Sequence, residues 1–164
     1  MFFLLLASMF SFGQELNRKV TDEKTGKEML LGLCNKEALL KAPFNDWYER
    51  EYKTYSPDTK TMTQLKTFAG KWKVAVVFGT WCSDSRTQIP RFFKVIESSE
   101  CTPLNIKMIC VDTEKKCEEV DISGLNIEKV PTFIIYSGNK EIGRIIETPS
   151  VSIESDLLQI LQKQ

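Results

Sequence analysis

The hydrophobic pattern divides the chain into three stretches. Residues 2–12 read FFLLLASMFSF, apolar apart from two serines and uncharged throughout. About 11 apolar residues are too few to cross a bilayer and suit the core of a secretory signal. From 14 to 71 the pattern is polar and broken. A turn-rich lead-in with a short strand or coil runs to residue 34, and Asn35 is placed to cap a short helix through Leu40. Pro43 suits the first turn of a second helix, 44 to about 52, with Phe44, Trp47, Tyr48 and Tyr52 at helical spacing. Ser56-Pro57-Asp58 opens a third, in which Met62, Leu65, Phe68 and Ala69 share a face and Gly70 is the stop.

From Trp72 the pattern sharpens. Residues 74–78 form a continuous run of β-branched and aromatic side chains, the mark of a strand buried on both faces. The segment GTWCSDS (79–85) follows, and then Ile89, Phe92, Phe93 and Ile96 at i, i+3, i+4, i+7. Cys82 is therefore expected where a buried strand hands over to an amphipathic helix, which Pro90 should kink. Residues 106–111 read as a second buried strand, and 114–119 as a solvated helix or loop. Val130-Pro131-Thr132 leads into a hairpin, 133–136 and 141–146, turning at Gly138-Asn139. Ser152 is the expected cap of a last helix bearing Ile153, Leu157, Ile160 and Leu161. The order is β-α-β-(α)-β-β-α.

Composition narrows the chemistry. With 164 residues and 42% hydrophobic side chains the chain suits one domain with a real core. Basic and acidic residues balance at 22 each, so nothing draws the molecule as a whole to nucleic acid. There is no histidine. Ser-His-Asp and Cys-His pairs, histidine zinc sites and an imidazole base are thus excluded. Cysteine, carboxylate, lysine and backbone remain. Five cysteines is an odd number, so at least one thiol stays free or pairs outside the chain. Cys34, Cys101, Cys110 and Cys117 lack C-x-x-C spacing and read as small buried residues. No metal or cofactor is expected.

Ser11 and Gly13 stand at −3 and −1 from a cut before Gln14, although no Lys or Arg precedes the apolar run. No cysteine follows it, so a cleaved chain would keep no stable membrane anchor. The expectation is a periplasmic or secreted protein, where disulfides persist. A buried N-terminal element in a cytoplasmic protein is the alternative.

A thiol attacks a disulfide only as thiolate, and a helix N-terminus favours that charge through its unpaired N–H groups. Cys82 is suitably placed, Trp81 would supply apolar surface, and Asp84 opposes a nearby negative sulfur while suiting a helix first turn. Taken alone, such a cysteine is more often an inert buried thiol, here beside a core tryptophan.

Four features coincide in order: the buried strand, Trp81-Cys82 at a helix start, Pro90 eight residues after the cysteine, and Val130-Pro131-Thr132 before a hairpin. Together they make residues 72–161 resemble the thioredoxin-like superfamily. The GTWCSDS form with the later GRIIE segment (143–147) resembles an exported subgroup. The resemblance implies an α/β thioredoxin-like fold, a central mixed sheet flanked by helices, over 72–164. Residues 14–71 become a mostly helical N-terminal extension, and 1–13 the signal. It further implies catalysis by Cys82 with Ser85, support from Trp81, Ser83 and Asp84, a cis Pro131 beside the cysteine, and substrate held at Val130, Pro131 and Thr132.

Three departures from the dithiol pattern accompany the match. Ser85 stands where the second cysteine would be, Val76 where a buried aspartate would be, and Met108 where its lysine partner would be. The expected activity is monothiol thiol–disulfide exchange on protein or small-thiol disulfides, completed by an external thiol or redox partner. Ser85 is expected to hydrogen-bond the Cys82 thiolate. The alternative is a non-catalytic binding module using the groove beside Pro131. Peroxiredoxin chemistry is disfavoured because Gly79 occupies the Thr/Ser position of its motif. CSDS does not match a CGFS cluster carrier, and Gly70-Lys71-Trp72 does not complete a P-loop.

Overall fold

The computed structural model describes residues 15–164; the expected signal segment and its cut before Gln14 lie outside them. The elements are β1 (Lys19–Thr21), β2 (Glu28–Leu30), β3 (Gly32–Cys34), α1 (Lys36–Leu39), α2 (Asn45–Thr54), α3 (Thr59–Leu65), β4 (Lys73–Phe78), α4 (Ser83–Ser98), β5 (Asn105–Cys110), β6 (Thr132–Ser137), β7 (Lys140–Ile146) and α5 (Ile153–Leu161). Three helices begin where a short polar side chain can accept from the first turn. Asn35, Asp58 and Ser152 bind the N–H groups of Ala38, Thr61 and Ser155. Between β6 and β7 the chain reverses through Gly138, whose φ of +59° suits glycine at the turn.

β1 and β2 pair as a separate antiparallel ribbon, and the other five strands form one sheet in the order β3-β5-β4-β6-β7. Only β4 and β5 run parallel, joined by the crossover through α4; every other neighbour is antiparallel. β4 has a strand on each side and side-chain cover on both faces, hence the unbroken apolar run 74–78 after Lys73. Val74, Val76 and Phe78 point to the larger core, shared with α4, α5 and the N-terminal helices. Val77, Ile109, Val111, Val120 and Val130 form a smaller cluster on the other face, with Trp81, Cys82 and Cys117 against it. This is the thioredoxin-like arrangement, a central mixed sheet flanked by helices.

The structure corrects the reading of two regions. The expected mostly helical N-terminal extension, 14–71, is described from residue 15 and carries three short strands as well as its helices. β3 completes the sheet by pairing with β5, and Leu39, Phe44, Trp47, Tyr48 and Leu65 lie in the same core as Phe92 and Val76. Helices of 4, 10 and 7 residues cannot bury an apolar face alone, so α2 docks on α4 and α3 on α5. Between β5 and β6 the bracketed helix is absent, and only a 3-10 turn, Ser123–Leu125, interrupts the loop. The loop still buries Val120 against Val77 and Ile109.

Candidate functional site

Cys82 is the cap residue of α4, with extended backbone (φ −81°, ψ 130°) and no side-chain bond to the helix's first turn. It is partly exposed, and its Sγ–H donates to the Val130 carbonyl at 3.4 Å. The thiol is therefore not fully buried.

The loop before α4 is held from five directions. Cys82 N–H donates to Gly79 O at 3.0 Å, and Gly79 N–H donates to Ser85 Oγ at 3.3 Å. The Trp81 indole N–H donates to Val111 O at 2.9 Å. Arg86 Nε–H donates to Thr80 O at 2.7 Å, and Leu30 N–H to Thr80 Oγ1 at 3.1 Å. Thr80 thus ties the loop to the N-terminal strand and to α4. Sequence reasoning missed Thr80, Arg86 and Gly79. The Leu30 bond spans 50 residues and leaves no local signal.

Gly79 is required sterically. A Cβ there would lie 2.4 Å from Trp81 Nε1 and 2.5 Å from Cε2. Gly79→Ala is expected to push the indole off Val111 and destabilise the protein by about 1–3 kcal/mol. Urea melts check the stability, and a change in tryptophan emission checks the displacement.

Ser85 is completely buried, and its recorded bond is to Gly79 N–H rather than to Cys82. The expected Ser85–Cys82 hydrogen bond is thus replaced by one that braces the loop, because position 85 faces inward from the helix. Ser83 is exposed and Asp84 partly so, both in the first turn. The Val130–Pro131 peptide is cis. Of the expected substrate-binding trio, Val130 is the one bonded to Cys82. The Pro131 carbonyl accepts from Glu147 N–H and the Thr132 hydroxyl donates to Lys129 O, each at 2.7 Å. Lys129 pairs with Glu147, which, with a smaller effect of Asp84, holds its ammonium above the ordinary value.

No acid–base pair lies behind the site. Val76 and Met108 are register partners on β4 and β5, both buried, and Val76 also faces Phe133. All five thiols are free. Burial pushes Cys101 up to about 11, and pushes Cys110 well above the usual thiol range with help from Cys34. Among the described residues no cluster of three or more His, Cys, Asp or Glu could hold a metal, and no helix is long and apolar enough to cross a membrane.

No protein-family model matches the chain, and no curated protein matches it significantly. Solved structures do. The chain is similar to an HIV epitope-scaffold protein at 13% identity, covering 76% of this chain and 87% of that one, with a TM-score of 0.58. It is similar to a protein of unknown function from Pseudomonas aeruginosa at 12% identity, covering 75% and 84%, with a TM-score of 0.55. A looser likeness, TM-score 0.40 at 16% identity, is to mitochondrial thioredoxin 3 from Saccharomyces cerevisiae, covering 70% of this chain and 99% of that one. At these identities the first two likenesses bear on the fold alone.

Proposed function

We propose that the protein carries out monothiol thiol–disulfide exchange through Cys82. The observation that carries this reading is the placement of its sulfur: partly exposed, at a helix start left free of side-chain capping, and bonded to the Val130 carbonyl. Unpaired N–H groups and the helix dipole suit a group that must become negative to react. The Cys82 thiolate attacks one sulfur of a substrate disulfide, and the other sulfur leaves and takes up a proton. An external thiol then attacks the mixed disulfide and a second one completes the reduction, so the two external thiols supply both electrons. If a thiol of the substrate attacks instead, the outcome is isomerisation.

Two clefts, of about 180 and 320 Å³, are lined by Lys36, Tyr48 and Tyr52 and by Ala75, Lys107 and Tyr136. Cys82 lines neither. The partly exposed sulfur suits attack on an extended protein segment, which the backbone at Val130 could hold as a strand edge holds a peptide. Residues 2–12 agree with an oxidising compartment outside the cytoplasm, where such substrates occur. The binding-module reading draws on one observation, the apolar Val76–Met108 pair where a dithiol enzyme would transfer protons.

Ser85→Cys is the test that separates the mechanisms. A cysteine there is expected to close an 82–85 bridge after the first exchange and raise turnover on a protein disulfide by on the order of tenfold. Val76 and Met108 limit the gain. A bridge that never forms, with unchanged turnover, contradicts attack by Cys82.

A further inference from the structure

Cys34 ends β3 and Cys110 ends β5, on neighbouring antiparallel strands. The register sets Gly32 opposite Cys110 and Cys34 opposite Met108, so the two cysteines are diagonal neighbours on one face. Their Sγ atoms are 3.1 Å apart. That lies inside the usual ~3.5 Å separation of non-bonded atoms and about 1 Å beyond a disulfide bond. Cys34 is 6% exposed and Cys110 not at all, within a cluster that is otherwise hydrophobic. Two thiols in such a place add little that alanine or valine would not, unless they can join.

We propose that Cys34 and Cys110 are a dithiol–disulfide pair, and that a small-molecule disulfide oxidises them to a bridge fastening β3 to β5. The Cys34 thiolate, nearer the surface, attacks one sulfur of the small disulfide, whose S–S bond breaks. One small thiol leaves and takes a proton. Cys110, as thiolate, then attacks the Cys34 sulfur and expels the second small thiol. The protein loses two electrons and two protons, and the small disulfide gains them. The 1 Å closure is accessible because β3 is a three-residue strand with a single neighbour in the sheet. The bridge secures the strap that carries Leu30, whose N–H holds Thr80 two residues before Cys82. Cys82 takes no part, so the proposal stands apart from the exchange mechanism.

The experiment equilibrates the full chain with oxidised and reduced glutathione, quenches in acid, alkylates under denaturing conditions and digests with trypsin without reduction. The expected product is one linked pair of peptides, 28–36 joined to 108–115, with Cys101 carrying the alkyl label. Cleavage at Lys115 and Lys116 keeps Cys117 on a separate peptide. The oxidised protein should melt about 5 °C or more above the reduced one. That difference should vanish in Cys34→Ala and persist in Cys117→Ala and Cys82→Ser. Alkyl label on both Cys34 and Cys110 of fully oxidised wild type overturns the proposal, as does a Cys110–Cys117 link. The map needs only wild type, so a variant that fails to fold does not shelter the idea. A linked pair in Cys82→Ser with no exchange activity would leave this proposal standing on its own.

Discussion

Replacing Cys82 with serine should reduce protein-disulfide reduction to the rate of the thiol buffer alone, a loss on the order of 100-fold or more. A serine hydroxyl is not ionised near neutral pH and does not displace a sulfur, so the first step has no nucleophile. The fold should scarcely notice. Cys82 is partly exposed, its side chain makes a 3.4 Å bond to Val130 O, and a serine hydroxyl can donate to the same carbonyl. Stability is expected to stay within about 0.5 kcal/mol of wild type. Insulin-type reduction with an external thiol, run beside a urea melt, reads both quantities. Activity that survives in a folded Cys82→Ser moves the weight to the binding module.

Phe92→Ala carries the largest expected effect on stability. Phe92 is 1% exposed on the inner face of α4. Its ring centroid lies 5.0 Å from Phe133 on β6, 5.6 Å from Phe93, and 6.5 Å from Trp72 in a perpendicular pair. Truncation removes the transfer free energy of the ring and leaves a cavity among rigid neighbours, about 3–5 kcal/mol in all. Against a total of roughly 5–15 kcal/mol that is a large share. It also loosens the seat of the helix that starts at Cys82, so exchange activity should fall at temperatures where the protein is still mostly folded. A urea midpoint that moves with unchanged slope is the expected signature, and a midpoint that barely moves would mean the site collapses around the gap. Phe92→Leu should cost less, because it keeps most of the volume.

What was legible in the sequence depended on how local the cause was. β4 announced itself because a strand covered on both faces is apolar through its length, here 74–78, and Asn35, Asp58 and Ser152 marked helix starts because capping needs only three or four residues. The approach of Val130-Pro131 to Cys82 was legible only through the family resemblance of the four features. β3 was not legible: three residues, Gly-Leu-Cys, join the sheet through partners some 76 positions away. Nor was the union of the N-terminal helices with α4 in one core, since an amphipathic face does not say what it packs against. At the site, the position of Cys82 was legible and its bracing was not. Ser85 was read as a partner of the sulfur, yet on the inner side of α4 its hydroxyl oxygen accepts from Gly79 N–H.

The most direct test of the account is to trap the first intermediate. Wild-type protein exposed briefly to a small disulfide near neutral pH should gain the mass of one small thiol on Cys82, and added thiol should remove it. Cys101 should stay unlabelled, since burial pushes its thiol up to about 11. An unmodified Cys82, with the adduct on Cys117 or on no cysteine at all, would contradict the assignment of exchange chemistry to this site.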